Sequence, residues 1–202
     1  MNRPPQEFKR VPVEKLRLFA SECLRTAGLR TDHAEQLAQL LTNNDLRGVR
    51  SHGSLQLHSY CTGLSQGTVN PNPQPKVVKE TGAAVLVDGD GGLGYAPMME
   101  ATELALEKAK DKGITLGATC HIAHYGSAGH YVRRAVGDGF IAYSVQGHGA
   151  NFDYEEVEKK QSAGYWGNPP FCFGLPAGDE PAMIVDGGTT LMAYSTDPVY
   201  KN

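Results

Sequence analysis

The chain has 202 residues and a formal net charge of −3 at pH 7, from 19 basic and 22 acidic residues. The sequence has no run of Lys and Arg that could neutralise a phosphate backbone, so nucleic acid is not expected as a partner. No stretch approaches the roughly eighteen consecutive apolar residues of a membrane span, so neither a membrane nor export is expected. We expect a cytoplasmic protein whose four separated cysteines are reduced thiols.

The first third of the chain is predicted to be helical. A helical stripe of apolar residues runs through residues 12–28 and meets a glycine, Gly28, that favours a helix end. A second helix is predicted to start with a capping box formed by Asp32 and Glu35, and to end near Gly48.

A third, short helix is expected to begin at Ser51 or Ser54. The proline-rich residues 68–76 then break all regularity. This break predicts two domains, a helical N-terminal domain over residues 1–75 and a sheet domain over residues 76–202.

After this break, short apolar strands alternate with helices, which indicates an α/β fold with a mixed sheet. Residues 147–170 are polar, aromatic and irregular, and no element is predicted there. Strands are predicted at residues 83–88, 114–121, 139–146 and 181–188, and helices at residues 96–112 and 127–136.

Residues 89–94, GDGGLG, satisfy the G-x-G-x-x-G pattern between a predicted strand and a predicted helix. A dinucleotide-binding turn is one interpretation. Against it, Asp90 would place a carboxylate beside the pyrophosphate, and the next strand ends at Cys120 and His121 without an acidic residue for the ribose. A tight glycine turn with a structural role is the preferred interpretation.

His52 lies between Ser51 and Gly53, where the third helix is predicted to begin. The helix dipole would disfavour the imidazolium there and lower the pKa of His52, leaving a neutral ring able to exchange protons. Ser51 is interpreted as a helix cap or a hydrogen-bond partner, since no G-x-S-x-G elbow indicates a hydrolase.

A second histidine cluster follows a predicted strand, and His124 is the member best placed to contact a ligand. Zinc binding by Cys120, His121, His124 and His148 is a competing interpretation without a supporting motif. Asp186 also stays open, since it could orient a histidine, hold a ribose hydroxyl or stand in a turn.

Four collinear segments together resemble the malate/L-lactate dehydrogenase family, which also contains ureidoglycolate dehydrogenase and diketogulonate reductase. The segments are DLRGVRSHG (45–53), VDGDGGLGYAPMMEA (87–101), HIAHYGSAGHY (121–131), and GNPPFCFGLPAG (167–178) with IVDGGTT (184–190).

The resemblance implies a small helical N-terminal domain packed on a mixed-sheet cofactor domain, distinct from a classical Rossmann fold. It further implies NAD or NADP as cofactor, a small 2-hydroxy or 2-oxo acid as substrate, and a homodimer. Family chains extend beyond residue 202, so a C-terminally truncated chain is expected.

By the same resemblance, His52 is the catalytic proton donor, Ser51 is its hydroxyl neighbour, and His124 lies near the nicotinamide. Gly53 is expected to leave room for substrate beside the imidazole. Residues implied to bind the cofactor are His124, Asn168, Pro169, Asp186, Gly187, Gly188, Thr189 and Thr190.

Two positions depart from the family pattern at the substrate carboxylate. Gln56 stands where the family has an arginine that binds the substrate carboxylate. Arg50 stands where the family has aspartate. Arg50 is hypothesised to replace the lost clamp. The expected function is an NAD(P)-dependent dehydrogenase acting on a 2-hydroxy acid, and the alternative is a truncated, non-catalytic homologue serving as a binding or structural module.

Overall fold

A computed structural model describes residues 9–147 and 169–188. The chain forms two compact units, Met1–Gly126 and Ser127–Asn202. The predicted domain boundary near residue 75 falls inside the first unit and stays a prediction. Among the described residues, no helix combines the length and the apolar content needed to cross a membrane.

Three helices open the first unit: α1 (Val13–Thr26), α2 (Thr31–Leu46) and α3 (Leu57–Ser65). Their apolar stripes face one another, because residues three and four apart share a helix face. The resulting core includes Leu24, Leu37, Leu41, Tyr60 and Leu64, and Tyr95 joins it from the next helix.

Two details of the predicted helices were wrong. The α2 helix begins without a capping box: the Asp32 carboxylate accepts hydrogen bonds from the Arg30 guanidinium at 2.7 Å and from the His33 backbone at 3.0 Å. Two short 3-10 turns, Arg50–His52 and Ser54–Gln56, precede α3, which begins only at Leu57.

A three-stranded mixed sheet completes the first unit, with strands β1 (Lys76–Glu80), β2 (Ala84–Asp88) and β3 (Leu116–Cys120) in that order. Strands β1 and β2 are antiparallel, whereas β2 and β3 are parallel and joined by helix α4 (Tyr95–Lys112). Helix α4 packs on the sheet through a cluster of Val85, Val87 and Ala101. The α/β class with a mixed sheet is thus confirmed.

The glycine turn at residues 89–94 interlocks with the segment after β3. The amides of Gly89, Gly91 and Gly94 donate to the carbonyls of Cys120, His121 and His124 at 3.0, 2.9 and 3.1 Å. These N–H groups are therefore engaged within the protein and do not form a phosphate cradle, which agrees with the structural interpretation of the turn.

The second unit packs helix α5 (Gly129–Gly137) on an antiparallel sheet of β4 (Ala142–Val145), β5 (Pro170–Leu175) and β6 (Met183–Gly188). Gly174 permits this contact, because a Cβ atom there would lie 2.4 Å from Val132 Cγ1. The opposite face of the sheet carries exposed apolar side chains, among them Tyr143, Val145, Met183 and Val185.

We expect Gly94→Ala to destabilise the first unit. A Cβ atom at Gly94 would lie 2.7 Å from Tyr125 Cβ and 2.9 Å from its Cα, so backbone must shift. Overpacking of this kind costs about 1–3 kcal/mol. Chemical unfolding should show that loss for Gly94→Ala and none for Gly82→Ala, where a Cβ meets nothing within 4 Å. Equal stabilities of the two variants would contradict the interlock.

Candidate active site

The loop that carries His52 is held by the end of helix α2. The buried Asn44 side chain donates from Nδ2 to the His52 carbonyl at 2.9 Å, and Asp45 Oδ2 accepts the Ser54 N–H at 2.9 Å. A Cβ atom on Gly53 would lie 1.9 Å from Asp45 Oδ1. The expectation that Gly53 leaves room for substrate was therefore wrong, because the Asp45 carboxylate fills that space.

The environment of the His52 ring differs from the predicted helix start. His52 is the last residue of a three-residue 3-10 turn, five positions before α3 begins, so a helix dipole does not act on it as proposed. Instead, a 2.9 Å hydrogen bond joins His52 Nδ1 to Ser51 Oγ. This bond engages Nδ1 of the ring.

His124 follows strand β3, and its ring contacts Tyr60, which in turn contacts Tyr95. Its Nδ1 is 2.6 Å from Tyr60 Oη, which is in turn 2.8 Å from Tyr95 Oη. Burial, assisted by the neighbouring His52, lowers the pKa of His124 to about 4, although part of the residue surface stays exposed. Burial likewise raises the pKa of Tyr60 to about 12. At neutral pH both groups are uncharged.

The structure brings the two histidines together. The ring centroids of His52 and His124 are 5.6 Å apart, with the ring planes tilted by 34°. Ser51, His52 and His124 were all candidates from the sequence, whereas Tyr60 and Tyr95 were not. Both tyrosines have the helical spacing of ordinary core residues, so no sequence signal marks them.

The two candidates for the substrate carboxylate behave differently. Gln56 Nε2 donates to the Ser51 carbonyl at 2.6 Å, so its amide braces the loop. Arg50 Nη1 is buried and has no hydrogen-bond partner among the described residues. A buried, unsatisfied guanidinium nitrogen is costly, and an anionic oxygen would relieve that cost.

Asp186 belongs to the second unit and stands within strand β6, so its interpretation as a turn residue was wrong. Its Oδ2 accepts a 2.9 Å hydrogen bond from Ser127 Oγ and lies 3.9 Å from Arg133 Nη1. Of the other predicted cofactor residues, Pro169, Gly187 and Gly188 are described in this unit. Asn168, Thr189 and Thr190 lie outside the described residues, as does His148.

Three of the zinc candidates, Cys120, His121 and His124, are described, and they do not form a metal site. Within residues 9–147 and 169–188, no three His, Cys, Asp or Glu side chains form a group that could hold a metal ion. His121 instead lies 3.4 Å from Asp88 Oδ1 through its Nδ1.

Comparison with known proteins now defines the class of this chain. The malate/L-lactate dehydrogenase family model matches residues 11–202, so the chain belongs to that family. It is 32% identical over 196 residues to a malate dehydrogenase of Pyrococcus horikoshii, covering 97% of this chain and 53% of the relative. It is 30% identical over 188 residues to hydroxycarboxylate dehydrogenase B of Escherichia coli, covering 92% and 51%.

Solved structures confirm the predicted family fold. The Pyrococcus horikoshii malate dehydrogenase superposes with a TM-score of 0.80 at 29% identity, over 94% of this chain and 53% of the other. Sulfolactate dehydrogenase from Methanocaldococcus jannaschii gives a TM-score of 0.77 at 29% identity, over 90% and 51%. The chain thus spans about half the length of the relatives it matches.

We expect His124 to make stability depend on pH. Because folding lowers its pKa from 6.5 to about 4, the unfolded chain binds more protons between these values. Stability is therefore retained at pH 7 and lost as the pH falls through that window. Between pH 7 and pH 5, the free energy of unfolding measured in urea should fall less for His124→Gln than for the wild type. Parallel pH dependences would contradict the shift.

Proposed function

We propose that this protein is an NAD(P)-dependent oxidoreductase that interconverts a small 2-hydroxy acid and the corresponding 2-oxo acid. The observation that carries the proposal is the pair of imidazoles 5.6 Å apart, one anchored by Ser51 and the other by Tyr60. Family membership supports it. The malate, sulfolactate and ureidoglycolate in the names of relatives are all 2-hydroxy acids.

In this proposal, His52 is the acid/base group. Reduction of a 2-oxo carbon leaves charge on its oxygen, and imidazole can supply the required proton near neutral pH. The Ser51 hydroxyl holds Nδ1, so Nε2 is the atom that gives the proton and takes it back in the reverse direction. Fixed ring orientation is the contribution of this loop to the reaction.

The bound nicotinamide would supply or accept the hydride. His124 fits such a cofactor. It is neutral and has an exposed surface, so it adds no charge that would repel an oxidised nicotinamide ring. We assign cofactor contacts to His124, Asn168 and Pro169, and to the segment 186–190. The choice of NAD or NADP stays open in this proposal.

Arg50 is proposed to bind the substrate carboxylate in place of the family arginine. The support is its buried Nη1, which has no partner among the described residues, and its position two residues before His52. Gln56, committed to the Ser51 carbonyl, is assigned a bracing role in the substrate loop. A homodimer in the cytoplasm, which the family resemblance implies, completes the proposal.

One observation favours the alternative function, a non-catalytic binding or structural module. The Gln56 side chain is a neutral amide that binds the Ser51 carbonyl, so it makes no ionic clamp on a carboxylate. Binding of NADH or NADPH without turnover of any 2-oxo acid would select this alternative.

We expect consumption of NADH or NADPH with pyruvate or oxaloacetate, followed by absorbance at constant pH. Replacing His52 by Gln removes the proton donor and should lower kcat about 10²- to 10⁴-fold. His58→Gln, an exposed histidine on helix α3, serves as the matched control and should retain the wild-type rate. Near-wild-type turnover by His52→Gln would remove His52 from the acid/base role.

Arg50→Ala is expected to raise KM for the 2-oxo acid by about 10-fold or more, since a charge-assisted carboxylate contact is lost. Arg25→Ala, an exposed arginine on helix α1, is the control and should leave KM unchanged. Identical KM values for wild type and Arg50→Ala would show that another group binds the carboxylate.

A further inference from the structure

Two buried tyrosines stand behind the histidine pair. Tyr60 is 4% exposed and Tyr95 is 2% exposed, and their rings meet edge-on at 5.9 Å. Gly126 closes over Tyr95, because a Cβ atom there would lie 2.5 Å from its hydroxyl oxygen. The hydroxyl of Tyr60 is thereby held between Tyr95 Oη and His124 Nδ1, at 2.8 and 2.6 Å.

The protons of this chain of hydrogen bonds can be counted. A phenol has one O–H, so Tyr60 donates to one of its two partners and accepts from the other. An imidazole nitrogen is a stronger acceptor than a phenol oxygen, and a phenol is a stronger donor than a neutral imidazole N–H. The favoured order therefore runs from Tyr95 to Tyr60 to His124 Nδ1, with each oxygen donating onward.

We propose that Tyr60 is a positioning residue that holds His124 as the Nε2–H tautomer. Nδ1 is then an acceptor engaged by the tyrosine, and Nε2 presents a fixed N–H donor. The effect of Tyr60 on turnover rests on the function proposed above, whereas the assignment of the His124 tautomer does not.

This assignment gives the two histidines different tasks. His52 exchanges a proton, while His124 stays neutral and donates a hydrogen bond. The pKa of His124 is lowered first by burial and then by His52, so a proton on His52 further disfavours one on His124. Tyr60, whose pKa is raised to about 12, keeps its donor proton throughout the neutral range.

Nitrogen-15 NMR of the histidine-labelled protein at pH 7 tests the tautomer directly. We expect His124 to show a protonated Nε2 and an unprotonated Nδ1, with the resonance assigned by its loss in His124→Gln. A protonated Nδ1 in the wild type would overturn the proposal. This measurement needs no tyrosine variant to fold.

Tyr60→Phe removes the hydroxyl and keeps the ring. We expect mixed tautomers for His124 in this variant, and a kcat lowered about 10- to 100-fold with a smaller change in KM for the 2-oxo acid. Tyr95→Phe should retain the Nε2–H tautomer, because Tyr60 still donates to Nδ1. Tyr143→Phe, an exposed tyrosine of the second unit, controls for loss of a phenol and should match the wild type.

An unchanged tautomer in folded Tyr60→Phe would overturn the positioning role. Absence of turnover in the wild type would count against the proposed function alone, because the NMR result decides the tautomer independently. The two failures are thus distinguishable.

Discussion

Backbone hydrogen bonds between the glycine turn and the segment after β3 are the constraint on which the site depends. Amide groups at residues 89, 91 and 94 bind carbonyls at residues 120, 121 and 124, and Ala123 donates back to Gly92 at 2.8 Å. Side chains larger than hydrogen at Gly89 and Gly94 would collide with Ile122 and Tyr125. The turn therefore fixes where the His124 backbone runs, and the tyrosines fix where its ring points.

The two imidazoles differ in the hydroxyl groups to which they are hydrogen-bonded. His52 is tied to an exposed serine hydroxyl on a short loop, whereas His124 is tied to a buried phenol in the helical core. The first setting suits a group that gains and loses a proton, and the second suits a group that stays neutral. Under the proposed function, the two histidines therefore have different roles.

Sequence patterns predicted those elements whose residues have one buried face. The apolar stripes of α1, α2 and α4 and the core strand β2 place them within a few residues of their observed ends. Strand β1 was missed because all five of its residues are exposed. Strand β5 was missed because its two buried positions are Cys172 and Gly174, which form no alternating pattern of large apolar residues. Ser51, His52 and His124 were candidates, but their proximity and the buried tyrosines follow only from tertiary packing.

Two residues in the last turn of helix α2, Asn44 and Asp45, hold the His52 loop. Asn44 is almost fully buried and binds the His52 carbonyl, and the Asp45 carboxylate occupies the hollow above Gly53 while accepting the Ser54 amide. Fraying of the last turn of α2 would therefore release the loop at the same time. Deuterium uptake at the Ser54 amide should consequently report on the integrity of a helix to which that amide does not belong.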